Sequence, residues 1–268
     1  MKKIRWSHFV LAFGYIFLYL PLICVAVYSF NKSRFVSTWA GFSLKWYKAL
    51  VSDPIVLHAT WMSIKIACIA ATVSVVLGTI AAIVIARFRR FRGKTFFIGA
   101  MTTPLVMPDI VMGLASLMLF IGMEKYVGWP SGCGITTVVI SHITFTISYV
   151  VMIVHARLVD FDHSIEEAAL DLGASPLKVF FVITLPMIFP AIIVGWLLSF
   201  ALSIDDVVIS SFVAGPGSTT LPMVIFSSLR FGISPQMNAL ATILIALLST
   251  GVAISAIVNY RKKRVKGK

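Results

Sequence analysis

Six long apolar runs alternate with polar stretches along the chain. They cover about His8 to Phe30, His58 to Ala86, Thr95 to Met123, Ile135 to Val154, Met187 to Val208 and Met237 to Tyr260. A helix rises about 1.5 Å per residue, so about 20 apolar residues match a hydrocarbon layer ~30 Å thick. A helix also bonds all its interior N–H and C=O groups within itself, as lipid demands. The pattern therefore predicts an all-α integral membrane protein with six transmembrane helices, read as one membrane domain over 1–268. Pro21 interrupts the first run, where a kink is expected. Pro104 and Pro108-Asp109 interrupt the third, which is expected to be broken or kinked.

Residues 157–186, between the fourth and fifth runs, change period. Ile165, Ala168, Ala169 and Leu172 fall at i, i+3, i+4 and i+7, one face of a short helix. Ser164 and Glu167 have the spacing of a capping box at its start. Gly173 stands where a left-handed C-cap is needed, and Ser175-Pro176 restarts a helix as N-cap and first residue. Leu185-Pro186 is expected to close that second helix. The stretch predicts a helix–turn–helix elbow with a short, alanine-rich outer stripe.

Composition agrees with a membrane chain: 59% hydrophobic and 12% charged, against about a quarter charged in soluble domains. The net charge of +13 invites a nucleic-acid reading, but its distribution argues otherwise. On this span placement 16 of the 23 Lys and Arg flank one side, 6 the other, and 1 lies inside a span. That is the positive-inside pattern, which puts both termini and the elbow in the cytoplasm. The basic residues are topology signals and headgroup contacts, and no nucleic-acid partner is expected. The N-terminus has no small-residue cleavage site and reads as a retained span. Cys24, Cys68 and Cys133 form no paired or metal-ligating pattern.

The motif Glu167-Ala168-Ala169, three residues, Gly173, nine residues, Ile183, one residue, Leu185-Pro186 resembles the loop of bacterial ABC-importer permeases served by a periplasmic binding protein. Two further stretches resemble the polyamine branch of that family: Tyr28-Ser29-Phe30-Asn31 and Trp39 through Tyr47. Within the branch, Ser203 to Val208 and Gly215 to Pro222 resemble putrescine permeases most and spermidine permeases next. The resemblance implies a multi-pass subunit of the bacterial inner membrane. Its implied partners are a cytoplasmic ATPase dimer, a second related permease and a periplasmic polyamine-binding protein. It also implies that the elbow docks on the ATPase, through Ser164, Ile165, Glu167, Ala168, Ala169, Leu172, Gly173, Ile183, Leu185 and Pro186. This chain has no Gly-x-x-x-x-Gly-Lys-Ser/Thr loop of its own, so no cofactor is expected and ATP hydrolysis falls to a partner.

Charges inside spans are costly and default to function. They are Lys65, Asp109, Asp205 and Asp206. One lysine can neutralise only one of three aspartates, which favours a cationic substrate path through Asp109, Asp205 and Asp206. Adjacent helical positions lie about 100° apart, so Asp205 and Asp206 cannot both face that path, and one is expected to pair with Lys65 or a neighbouring helix. A permease for another small amine fits the same residues. His155 and Asp160 are spaced like the pair of some acyltransferases, but no oxyanion site accompanies them. An ion channel would need no elbow.

Overall fold

The structure is a computed structural model that describes residues 2–250 except 36, 37, 89, 231, 233 and 248. Helices dominate, and among the described residues the one β feature is an antiparallel bridge between Asn31 and Phe42. The chain divides into two compact units, Met1–Leu57 with Ile225–Lys268, and His58–Val224.

In the first unit, α1 (Lys2–Tyr28) runs through Pro21 without a break. The loop after it folds around the buried Asn31 side chain. Its amide nitrogen donates to the Thr38 carbonyl at 2.8 Å, and its oxygen accepts from the Ala40 and Ser33 amides at 3.0 and 3.1 Å. Trp46 donates its indole N–H to the Asn31 carbonyl at 2.7 Å, and the Tyr47 hydroxyl meets Ser29 Oγ at 2.6 Å. These two rings are ties that hold this loop. Helix α2 (Lys45–Val51) follows.

The second unit holds most of α3 (Pro54–Arg87), then α4 (Lys94–Val106), α5 (Asp109–Val127) and α6 (Ile135–Val159). The third run does break, at Met107-Pro108, where both residues are extended (ψ 137° and 140°). Proline drives the residue before it out of the helical region and removes a donor, so the break falls here. Pro104 stays inside α4. After α6 come α7 (Ser164–Asp171), α8 (Pro176–Val179), a π-helical segment (Phe180–Thr184) and α9 (Leu185–Asp205). Two short helices, α10 (Val208–Val213) and α11 (Leu221–Arg230), follow. The sequence assigns this region to an external segment, yet Ile209 and Val213 of α10 are fully buried, in one cluster with Met112, Phe120, Val138 and Phe145.

Van der Waals fit does in lipid what water exclusion does elsewhere, so close helix approach depends on small residues. Val150 of α6 is fully buried and faces two glycines. A Cβ on Gly78 of α3 would come within 2.8 Å of it, and one on Gly195 of α9 within 3.5 Å.

Among the described residues, five helices are long and apolar enough to cross a membrane: His8–Tyr28, Pro54–Arg87, Asp109–Val127, Ile135–Val159 and Pro176–Asp205. The described part of the sixth run includes the apolar helix α12 (Pro235–Leu247). Most of the rest of it, with the Arg261 to Arg264 cluster, lies outside the described residues.

Candidate functional site

The elbow stretch begins one residue away from the expected cap. Asp162 Oδ1 accepts from the Ser164 amide at 3.0 Å, and the His163 carbonyl accepts from Glu166 and Glu167. With the first donor already met by this Asx turn, Ser164 becomes the first helical residue and the Ser164–Glu167 capping box does not form. The other end follows the prediction. Gly173 has φ +85°, its amide bonds the Leu170 carbonyl at 2.9 Å, and Ala174 bonds the Ala169 carbonyl at 3.1 Å. Those two bonds are a Schellman motif. Ser175 Oγ then accepts from the Lys178 amide, with Pro176 at the start of α8.

Leu185-Pro186 does not close the second helix, contrary to the sequence expectation. Pro186 has no N–H to give and its ring crowds the preceding turn. The ladder widens instead of ending: the Leu185 amide bonds the Phe180 carbonyl, five residues back. Pro176–Asp205 therefore runs on as one membrane-length helix with a π turn near its start.

Helix α7 is turned inside out by the usual rule of burial. Ile165, Ala168 and Leu172 of the predicted stripe are exposed, Leu172 by 89%, and Ala169 is half-buried. Ser164, Glu167, Gly173 and Pro186 are exposed too, while Ile183 and Leu185 are half-buried. The one buried residue of α7 is Glu166. Its Oε1 accepts from Arg87 Nη2 and from Thr184 Oγ1, and Arg87 Nη2 also reaches Thr184 Oγ1 at 3.2 Å. His163 Nδ1 lies 3.5 Å from Oε2. Burial pushes the Glu166 carboxyl up, but the hydrogen bonds from Thr184 and Arg87, the Arg87 charge and His163 outweigh it, so the carboxyl sits below the ordinary glutamate range.

The three aspartates have different surroundings, and Asp206 lies just beyond the end of α9 rather than inside a span. Asp109 is exposed and opens α5, where the helix dipole favours an anion. Asp205 is exposed at the end of α9. The Asp206 side chain is buried. Its oxygens accept from the Ile209 and Ser210 amides at 3.1 and 2.8 Å and from His142 Nε2 at 3.2 Å. His142 is fully buried, with Nδ1 2.6 Å from the Ser203 hydroxyl oxygen. Its bond to the Asp206 carboxylate requires a proton on Nε2. Among the described residues, Asp206 pairs with His142, and the exposed Lys65 makes no ion pair with any of the three aspartates. Nothing local in the sequence distinguishes His142, because its partners lie 61 to 68 positions downstream. Among the described residues no hydrogen bond joins His155 to Asp160, which is exposed at the end of α6.

Residues 74–267 match the family of binding-protein-dependent transport system inner membrane components. The putrescine transport system permease protein PotI of Escherichia coli (strain K12) is 53% identical over 240 residues, 90% of this chain and 85% of that protein. The spermidine/putrescine transport system permease protein PotC of the same organism is 43% identical over 250 residues, 93% and 92% of the two chains. The fold is shared with a bacterial ABC transporter involved in import of the acidic polysaccharide alginate. That likeness has TM-score 0.69, 13% identity, and covers 95% of this chain and 94% of that one. With most of its length matched, this chain belongs to the binding-protein-dependent transport system inner membrane components.

Proposed function

We propose that the chain is one of two transmembrane subunits of an ATP-driven polyamine importer, with putrescine the preferred substrate. The observation that carries the coupling half is the exposed apolar face of α7, turned outward while its carboxylate turns in. A bare Ile165/Ala168/Leu172 stripe on a membrane protein calls for a partner, and small residues admit one closely. That partner is the cytoplasmic ATPase dimer, with α7 at the positive-inside face and both termini on the same side. A second related permease completes the pathway, and a periplasmic binding protein delivers the amine. The likeness to two polyamine permeases supports the substrate class.

Of the adjacent aspartates, Asp205 is the pathway residue. It is exposed, whereas Asp206 is committed to His142 and to the start of α10. Asp109 at the break between α4 and α5 supplies a second acceptor. Putrescine carries two ammonium groups separated by methylenes, so spaced carboxylates suit it.

The test is uptake of labelled putrescine into vesicles holding the reconstituted complex, with binding protein outside and ATP on the elbow side. Uptake should require ATP and both partners. Uptake without ATP would make the chain a channel. Uptake of another amine that excess putrescine fails to compete would reassign the substrate.

A further inference from the structure

We infer that Arg87, Glu166 and Thr184 form the internal joint that fixes the coupling helix to the membrane spans. All three are positioning residues: Glu166 on the buried side of α7, away from the stripe assigned to the ATPase, and Arg87 and Thr184 meeting it from α3 and the π segment. The inference rests on the reading of α7 as the ATPase-docking helix and goes beyond it, since docking explains the outer face alone.

The argument starts from what holds α7 in place. It has eight residues, too few for a stable isolated helix. None of its apolar side chains is buried; Glu166 is the one residue that is, at 5% exposure. A push on the outer stripe would twist or unravel so short a helix unless its inner side were anchored. The anchor is ionic. Glu166 meets Arg87, the last residue of α3, and Thr184, the last residue of the π segment that leads into α9. Arg87 and Thr184 also contact each other, so the three groups close a triangle across three elements. Charge-assisted bonds depend on direction more than apolar contact does. The joint therefore ties a displacement of α7 to α3 and α9 together. Membrane helices do not need an arginine here for topology alone, because Arg90, Arg92 and Lys94 follow at once.

The test uses the whole reconstituted complex and reads putrescine taken up per ATP hydrolysed. Glu166→Gln and Arg87→Gln should each lower that ratio at least fivefold while the ATPase still co-purifies. The exchange Arg87→Glu with Glu166→Arg should recover at least half of the loss. Where the exchange does not assemble, Arg87→Lys should outperform Arg87→Gln by twofold or more, because it keeps the charge. Thr184→Val should give a smaller loss than either glutamine variant. A wild-type ratio in both glutamine variants overturns the inference. So does release of the ATPase by Glu166→Gln, which would make Glu166 a docking contact, or equal failure of Arg87→Lys and Arg87→Gln. Ala168→Asp is measured alongside. If it is also at the wild-type ratio, the docking reading itself has failed; if it alone uncouples, only the joint has.

Discussion

Asp206 gives its carboxylate to His142 and to two α10 amides, whereas Asp205, one position earlier, is exposed. The two asparagine variants should therefore fail differently. Asp205→Asn should cut putrescine uptake tenfold or more, about 1.4 kcal/mol of barrier, with the complex assembled and thermally unchanged. Asp206→Asn should lower the stability of the subunit by about 1–3 kcal/mol, the range for a buried group losing part of its hydrogen bonding. Uptake and thermal melts of the two purified complexes separate the outcomes; the reverse assignment would move the pathway to Asp206. Glu166 offers a test by pH. Its folded pKa is depressed, so its stabilising contribution is complete above the ordinary glutamate value and is lost as pH falls through the lower folded one. The melting gap between wild type and Glu166→Gln should hold steady near neutrality. It should start to close only as pH falls past the ordinary glutamate value. A gap that changes between pH 6 and 8 would contradict this assignment. The sequence reading placed the aspartate charges within its apolar runs, where their cost is independent of partners. It did not show which way they pointed, nor that Glu166 was the inward residue, because those facts depend on Arg87 and Thr184, 79 and 18 positions away.

At the scale of elements, local chemistry was read well wherever one residue decides the backbone. Pro108 breaks the third run as expected, and Gly173 turns the elbow with φ +85°. An added Cβ at Gly173 meets open space, so the penalty of a substitution there is conformational alone. Gly173→Ala should cost about 1–2 kcal/mol of local stability, and Gly173→Asn less, since asparagine tolerates the left-handed region. Hydrogen exchange of the α7 and α8 amides reads both; equal protection in all three proteins would deny the turn its role. Where two solutions compete, the sequence was ambiguous. Ser164 and Asp162 both offer an oxygen to the start of α7, and Asp162 wins by two residues of reach. Pro186 can end a helix or widen it. The apolar run beyond it makes ending costly in a membrane, so the π turn results. α10 was missed for a related reason: a six-residue helix has too little period to show, and its burial comes from α5 and α6.

For the molecule as a whole, the apolar runs and the asymmetry of lysine and arginine carried most of the fold class, since lipid leaves a chain few alternatives. The elbow motif carried the family, which the match over residues 74–267 bears out. The outward stripe of α7 was expected; what the sequence did not carry is that the one buried residue of this short helix is charged. We read that arrangement as a seat for another protein, and it is the centre of the proposed function. The most direct measurement is co-purification of the ATPase with Ala168→Asp, together with ATP-driven putrescine uptake by the same complex. Ala168 is exposed, so the aspartate leaves the fold of the subunit intact and places a charge in the contact. The account predicts a normally inserted subunit that loses its ATPase, or keeps it without transport, with uptake at least tenfold down. Wild-type uptake with the ATPase bound at full stoichiometry would contradict it.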